Sequence, residues 1–176
     1  MFGLGCAQKF VRVATCAALI GLPLVPRAQN ANGIPRGLLG RWRVERIIPT
    51  RTITCFGERE ARSIVHTEIE YSQTAFHWNH HVIPYTSASS RILNAEEFHD
   101  DYSGGGANDS QVDFDQLGIR STTVTVVTFA HADVNIPGMV DGIPGDLILI
   151  KDANHIILNV CNVYLGAVRL PRPKSP

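Results

Sequence analysis

Apolar and polar residues alternate along much of the chain beyond residue 40, which is the period-two pattern of strands with one buried face. The alternation is clearest in Gly40–Ile48, where Trp42, Val44 and Ile48 fall on one face and charged residues on the other. Arg46 breaks the pattern because it falls in phase with the apolar set. Either the strand bulges there, or a charge points into the interior as a ligand contact.

Short strands account for most of the remaining pattern. We predict them at 41–48, 69–71, 76–78, 82–85, 91–93, 122–130, 147–151 and 155–161, with a continuation over 164–170. Turns at 72–74 and 152–154 make two of these pairs hairpins. The final strand is apolar in both phases, so either something covers its outer face or the sheet is flattened.

One short helix interrupts the strands. Residues 94–102 begin with Asn94 as a plausible N-cap and carry Glu97 three residues later, which is the spacing of a capping box. Residues 57–62 form a charged loop or a second helical turn. Seven to nine short strands, short turns and one or two short helices predict an all-β fold, an antiparallel up-and-down barrel without open edges.

The beginning of the chain has the order of a secretory signal peptide. Lys9 and Arg12 precede an apolar run over 13–22, and small residues follow, so we expect cleavage near Ala28 or Ala31. A short buried helix or an uncleaved anchor is the alternative. The predicted organisation is a signal peptide at 1–28, a polar segment at 29–39, one barrel domain at 40–170 and a tail at 171–176.

Charge excludes some classes of partner. The full chain has a formal net charge of zero, and removal of residues 1–28, which hold three basic residues and no acidic one, leaves −3. No basic cluster marks a nucleic-acid surface, and the mature chain has no apolar stretch of about eighteen residues that would span a membrane. We therefore expect an exported protein, periplasmic or secreted, that binds neither nucleic acid nor a bilayer through a spanning helix.

Cysteine usage fits export. Cleavage would remove Cys6 and Cys16, which leaves Cys55 and Cys161 as the material for one disulfide in an oxidising compartment. Two free buried thiols are the alternative.

The tripeptide Gly40-Arg41-Trp42, at the start of the first strand, resembles the Gly-x-Trp signature of the lipocalins and the wider calycin barrels. The resemblance implies that Arg169, near the end of the last strand, packs across the tryptophan. The pattern of Cys55 early and Cys161 late in the chain is also lipocalin-like. The other lipocalin motifs are not recognisable, and no long helix follows the barrel strands.

Candidate binding residues come from the expected interior. Those predicted to contact a ligand are Trp42, Arg46, Tyr71, Phe76 and Trp78. His77, His80 and His81 are weak metal candidates together with Asp100 or Asp101, although their spacing matches no established metal motif and solvated histidines explain them equally. No Gly-x-Ser-x-Gly elbow or phosphate loop is present, so we expect neither an enzyme nor a cofactor.

Two functions fit this pattern. The first is an exported, non-enzymatic β-barrel that binds a small apolar molecule in its interior. The second is an inhibitor or immunity-type module that binds an envelope protein through surface residues such as His80, His81, Asp100 and Tyr102. The sequence makes no prediction about the oligomeric state.

Overall fold

The computed structural model describes residues 31–52, 54–55, 57–102, 112–132 and 143–171. The predicted signal peptide, the polar loop at 103–110 and all but the first residue of the predicted tail lie outside these ranges. The strands are β1 (Ala31–Asn32), β2 (Gly40–Ile48), β3 (Glu68–Tyr71), β4 (Ala75–Trp78), β5 (His81–Asn94), β6 (Thr123–His131), β7 (Leu147–Ile150), β8 (His155–Val160) and β9 (Val163–Arg169). The helices are α1 (Glu58–Ile64) and α2 (Ala95–Tyr102).

Strands β2 to β9 form a closed antiparallel barrel. Each strand pairs with the next along the chain, and β9 returns to pair with β2. The two-residue β1 adds to β5 beside the barrel. The predicted fold class, an all-β up-and-down barrel with one or two short helices, is therefore confirmed with eight barrel strands and two helices among the described residues.

A β-bulge in β2 explains the misplaced charge. Val44 and Arg46 face consecutive residues of β9, so the register shifts by one residue between them. Arg46 is exposed and points out of the barrel, above Gly166. The bulge also turns Ile48 outward, where it packs with Tyr164 outside the barrel. The bulge is thus the correct alternative for Arg46, and the prediction that Ile48 shares the inner face with Val44 is wrong.

Strand β5 is longer than predicted. The separate strands expected at 82–85 and 91–93 are parts of one strand of 14 residues, His81–Asn94. Its first part pairs with β4, and from Tyr85 onward it pairs with β6. The expected continuation after residue 161 is instead a separate strand, because Cys161 and Asn162 adopt positive φ angles of 50° and 62° and reverse the chain.

The barrel has apolar contacts on both its faces. Its interior is filled by a cluster that includes Trp42, Ile69, Phe76, Val127, Ile148 and Leu158. A second cluster lies outside, where Phe98 of α2 and the segment 112–119 pack on the outward residues of β5 to β9. This cover explains why the last strands are apolar in both phases, as predicted.

Local signals placed α2 correctly. The side chain of Asn94 accepts a hydrogen bond from the backbone of Glu97 at 2.9 Å, and the Glu97 carboxylate accepts one from the backbone of Asn94 at 2.9 Å. This is the reciprocal capping box that the spacing predicted.

A disulfide closes a long loop. Cys55, which precedes α1, is bonded to Cys161 in the β8–β9 turn, with Cα atoms 5.4 Å apart and a sequence separation of 106. In the loop-entropy model such a bond stabilises the fold by about 4 to 5 kcal/mol. The bonded segment leads into α1, whose Ala61 and Ile64 are buried in the interior cluster. The predicted disulfide is therefore confirmed.

Candidate functional site

Four aromatic rings from four consecutive strands form an aromatic wall inside the barrel. They belong to Tyr71 of β3, Phe76 of β4, Tyr85 of β5 and Phe129 of β6. The centroids of Tyr85 and Phe129 lie 4.3 Å apart and those of Tyr71 and Phe129 5.7 Å apart, both in stacked geometry. Phe76 joins at 5.8 Å from Tyr85. These contacts fix the wall as one surface.

A histidine–aspartate pair lies beside this wall. His131 follows the inward Phe129 by two residues in β6, so strand alternation turns its side chain inward, and Asp146 lies in the bend before β7, where its carbonyl accepts from the backbone of Phe129 at 2.8 Å. Nε2 of His131 lies 3.1 Å from Oδ2 of Asp146. Their side chains are 16% and 31% exposed, respectively, so solvent reaches the pair from one side.

Two polar atoms near this pair are buried without a partner. Among the described residues, the hydroxyl of Tyr85 and Oδ1 of Asp146 make no hydrogen bond. The hydroxyl of Tyr71 is engaged, because it donates to the carbonyl of Gly145 at 3.4 Å. A buried polar atom without a hydrogen bond costs about 1 to 3 kcal/mol, so a bound group that meets both atoms would recover that energy. We call Tyr71, Tyr85, His131 and Asp146 the Asp146 cluster.

Burial controls the titration of this cluster. It raises the pKa of the Asp146 carboxyl, while the hydrogen bond from His131 acts in the opposite direction. Burial also raises the pKa of Tyr71 and of Tyr85 well above the usual phenol value. Both tyrosines therefore stay neutral hydrogen-bonding groups at neutral pH.

The polar contacts around Trp42 have a different character. The indole Nε1 of Trp42 donates to the carbonyl of Leu38 at 2.8 Å. The guanidinium carbon of Arg169 lies 4.0 Å from the centroid of the tryptophan ring. This is the cation–π contact that the resemblance to the calycins implied.

Arg169 also bonds to the backbone on three sides. Its Nε donates to Ala153 at 2.7 Å, its Nη1 to Leu39 at 2.8 Å, and its Nη2 to the carbonyl of Gly37. Gly40 leaves room for this side chain, since a Cβ there would lie 3.3 Å from Nη1. We call Trp42, Arg169 and the carbonyls they contact the Arg169 cluster, and it ties the first and last barrel strands together.

The predicted ligand residues divide into three groups. Tyr71 and Phe76 are buried parts of the aromatic wall. Trp42 and Trp78 are also buried inside, but their indole nitrogens already donate to protein oxygens, that of Trp78 to Thr67 at 3.2 Å. Arg46 lies outside the barrel and is not brought to the others.

The structure does not gather the histidine candidates into a metal site. His77 is exposed on the outer face of β4, His80 lies in the β4–β5 turn and His81 begins β5. Asp101 forms an ion pair with Arg91 at 2.7 Å instead. A search of the described ranges finds no group of three or more histidine, cysteine or acidic side chains placed to hold a metal ion.

The residues expected to contact a protein partner do not share one surface. His80 and His81 stand at the start of β5, whereas Asp100 and Tyr102 belong to α2 beyond its end. Helix α2 folds back along β5, because Asp101 pairs with Arg91, and the roughly eight to ten residues of extended strand that remain separate the two pairs by about 25 to 30 Å. Tyr102 moreover stacks on Phe98 in the outer cluster, with ring centroids 5.1 Å apart.

A groove of about 1120 Å³ runs along the outside of the barrel near the Arg169 cluster. Charged side chains of both signs line it, among them Arg41 and Glu68, which pair with each other. None of the described residues that line the groove has a buried side-chain polar atom without a partner, so the groove offers nothing comparable to the two atoms beside Asp146.

Sequence reasoning missed three residues of the Asp146 cluster: Tyr85, His131 and Asp146. The segments that hold them are far apart in the sequence and meet only through strand pairing. One signal was present, because His131 continues the inward phase of Val127 and Phe129. A histidine in an apolar phase marks a polar group directed into the interior.

No protein-family model, no curated protein and no solved structure matches this chain. Within the described part of the chain, no helix combines the length and apolar character needed to cross a membrane. The candidate site therefore rests on its geometry.

Proposed function

We propose that this chain is an exported, non-enzymatic barrel protein of the lipocalin-like, calycin kind that binds a small apolar ligand at the aromatic wall. The observation that carries the proposal is the pair of buried, unpartnered atoms beside that wall, the Tyr85 hydroxyl and Oδ1 of Asp146. Small-molecule sites combine an apolar surface with a few polar groups, and the aromatic wall with these two open atoms offers both kinds of contact.

The apolar body and the polar end of a ligand would have separate contacts. The rings of Phe76, Tyr85 and Phe129 supply the apolar surface. Asp146 and Tyr85 supply the polar contacts, and the partial exposure of His131 and Asp146 provides access from solvent. The ligand is small, because the interior around Trp42 is already filled by protein side chains.

Binding is favoured over catalysis by the state of His131. Its Nδ1 lies 2.7 Å from the carbonyl oxygen of Ala132, and its Nε2 faces Asp146. Both ring nitrogens are thus engaged with protein oxygens, so neither is open to take a proton from a substrate.

Two features support the other parts of the proposal. The Cys55–Cys161 bond fits an oxidising compartment, and with the basic-then-apolar order of the first residues it supports export. The closed barrel with Arg169 over Trp42 supports kinship with the calycins.

A matched pair of tyrosines tests the site. Tyr85 and Tyr102 are both half-buried and both stack on a phenylalanine, but Tyr85 lies inside the barrel and Tyr102 outside. We expect Tyr85→Ala to weaken binding of the neutral probe N-phenyl-1-naphthylamine about tenfold, because it removes one ring of the wall, and Tyr102→Ala to leave binding unchanged.

Probe fluorescence measures the affinity. Trp42 and Trp78, the protein's two tryptophans, both lie in the interior and give a second signal. Equal loss of affinity in the two variants, or no saturable binding to the wild-type protein, would contradict the proposal.

A further inference from the structure

We propose that the site selects the polar end of its ligand by charge: it accepts a neutral hydrogen-bond donor such as a hydroxyl at Oδ1 of Asp146, and disfavours a carboxylate or an ammonium group. This inference rests on the proposed function, because it names the ligand class of the same site. It follows from the number of protons that His131 and Asp146 hold together.

The hydrogen bonds of His131 fix that number. The carbonyl oxygen of Ala132 only accepts, so the proton on Nδ1, 2.7 Å away, belongs to the ring. Nε2 then faces Oδ2 of Asp146 at 3.1 Å, and two lone pairs cannot form a hydrogen bond. One more proton must lie between them, on Nε2 or on Oδ2.

Both placements give the same net charge. A proton on Nε2 makes an imidazolium beside a carboxylate, and a proton on Oδ2 makes a neutral ring beside a neutral acid. In either state the pair carries zero net charge. The tyrosines that approach from β3 and β5, Tyr71 and Tyr85, are neutral as well, since burial raises the pKa of each phenol.

The open atom is an acceptor in both states. Oδ1 of Asp146 is a carboxylate oxygen in one and a carbonyl-like oxygen in the other, and no described residue donates to it. The Tyr85 hydroxyl, also open, can donate or accept. A ligand hydroxyl can therefore donate to Oδ1 in either state.

Charged ligand ends fit less well. A carboxylate would bring acceptor atoms and a negative charge against Oδ1 without a proton to donate. An ammonium group would donate, but among the described residues its charge would meet no unpaired counter-charge, because His131 already balances Asp146. A neutral hydroxyl forms the hydrogen bond without adding a buried charge.

A chain-matched series of ligands tests the inference directly. Decan-1-ol, decanoic acid and decylamine share one apolar chain and differ at the end group. Their competition with N-phenyl-1-naphthylamine at pH 7 gives three affinities for the wild-type protein. We expect the alcohol to bind about tenfold more tightly than either charged ligand, which corresponds to one well-made buried hydrogen bond.

An aspartate in a second histidine pair supplies the control variant. Asp152 bonds to His155 at 2.8 Å in the exposed β7–β8 turn, whereas the Asp146 pair is partly buried inside. We expect Asp146→Leu to reduce the preference for alcohol over acid to about threefold or less, because it removes the acceptor that the alcohol meets. Asp152→Leu keeps the wild-type preference.

The outcomes separate the two proposals. If the neutral probe binds but the acid or the amine equals or exceeds the alcohol, the charge selection is wrong while the binding function stands. If neither the probe nor any of the three decyl compounds binds, the binding function fails and the selection fails with it. The wild-type ranking decides even if Asp146→Leu does not fold.

Discussion

The two polar clusters of this barrel differ in how completely their hydrogen bonds are made. In the Arg169 cluster, Trp42 and Arg169 donate to four backbone carbonyls, and the guanidinium covers the indole. In the Asp146 cluster, the Tyr85 hydroxyl and Oδ1 of Asp146 are buried and have no hydrogen-bond partner among the described residues. Both clusters place polar side chains against the apolar interior, so the completeness of their hydrogen bonds is what distinguishes them.

The difference indicates separate roles. A network whose donors all have partners lowers the energy of the fold and leaves nothing for a ligand to bind. A network with open acceptors raises the energy of the empty protein and returns it when a donor arrives. We therefore expect changes in the Arg169 cluster to affect stability, and changes in the Asp146 cluster to affect binding.

The largest effect is expected at Arg169. Arg169→Ala removes three hydrogen bonds from a charged donor and the contact with Trp42, so we expect it to lower the free energy of unfolding by about 4 kcal/mol. Arg43→Ala is the control on the same pair of strands, because Arg43 makes an exposed ion pair with Glu45 at 2.8 Å. Loss of this ion pair should lower the free energy of unfolding by at most about 0.5 kcal/mol. Urea unfolding followed by circular dichroism measures the stability of both variants. An equal loss of stability in the two would contradict the structural role of Arg169.

A glycine beside each cluster allows the packing of the two clusters to be compared. Gly145 and Gly40 have similar φ angles of 120° and 117°, which strain any other residue. A Cβ at Gly145 would lie 2.9 Å from the Tyr71 hydroxyl and 3.2 Å from Phe76, whereas one at Gly40 would meet only the flexible end of Arg169. We expect Gly145→Ala to cost about 2 to 3 kcal/mol and Gly40→Ala about 1 to 2 kcal/mol.

A double-mutant cycle identifies the clash at Gly145. In a Tyr71→Phe background the hydroxyl is absent, so Gly145→Ala should cost about 1 kcal/mol less than in the wild-type protein. Urea denaturation of the four proteins in the cycle gives the coupling energy. A coupling of zero would show that Tyr71 does not contact this position.

The smallest effect on stability is expected at Asp146. Asp146→Asn keeps the shape of the side chain and removes a carboxyl that burial disfavours in its charged form, so the free energy of unfolding at pH 7 should change by less than about 1 kcal/mol. A loss as large as that at Arg169 would mean that this cluster also holds the fold together.

The pH dependence gives this prediction a sign. Because the pKa of Asp146 is raised above its ordinary value of 3.8, the folded protein holds the proton more tightly than the unfolded chain. The free energy of unfolding of the wild-type protein should therefore fall as pH rises from 3.8 through the raised pKa of Asp146. The Asp146→Asn variant should not show this fall. A wild-type minus variant difference that rises with pH would show that His131 outweighs burial.

Features set by neighbouring residues were predictable from the sequence. The hairpin at 69–78 follows from strand alternation, and the start of α2 follows from Asn94 and Glu97. Arg169 and Trp42 are far apart in the sequence and meet only because β9 pairs with β2, but the resemblance to the calycins made their contact predictable.

Features that depend on register were not predictable. Alternation left a bulge at Arg46 as one of two alternatives and did not predict that Ile48 turns outward, because the cause of the bulge lies in the pairing with β9. The sequence does not show that β5 is one continuous strand. Pro84 and the small, mostly polar residues at 86–90 lack the alternation of apolar and polar residues that marks a strand.

The candidate site has the same dependence on pairing. His131 reaches Asp146 because a backbone hydrogen bond joins β6 to the segment before β7. In it the N–H of Phe129 donates to the carbonyl oxygen of Asp146 at 2.8 Å. Only the inward phase of His131 was visible beforehand, and it does not name a partner.

The apolar cover outside the barrel has a consequence for the order in which the chain is made. Strands β7 to β9 carry apolar residues on both faces, and as a free segment they would be prone to aggregate. Their outer cover, α2 and the segment 112–119, precedes them in the sequence. The residues of this outer cover are therefore synthesised before the strands that they protect. A circular permutant that begins at β7 would reverse that order.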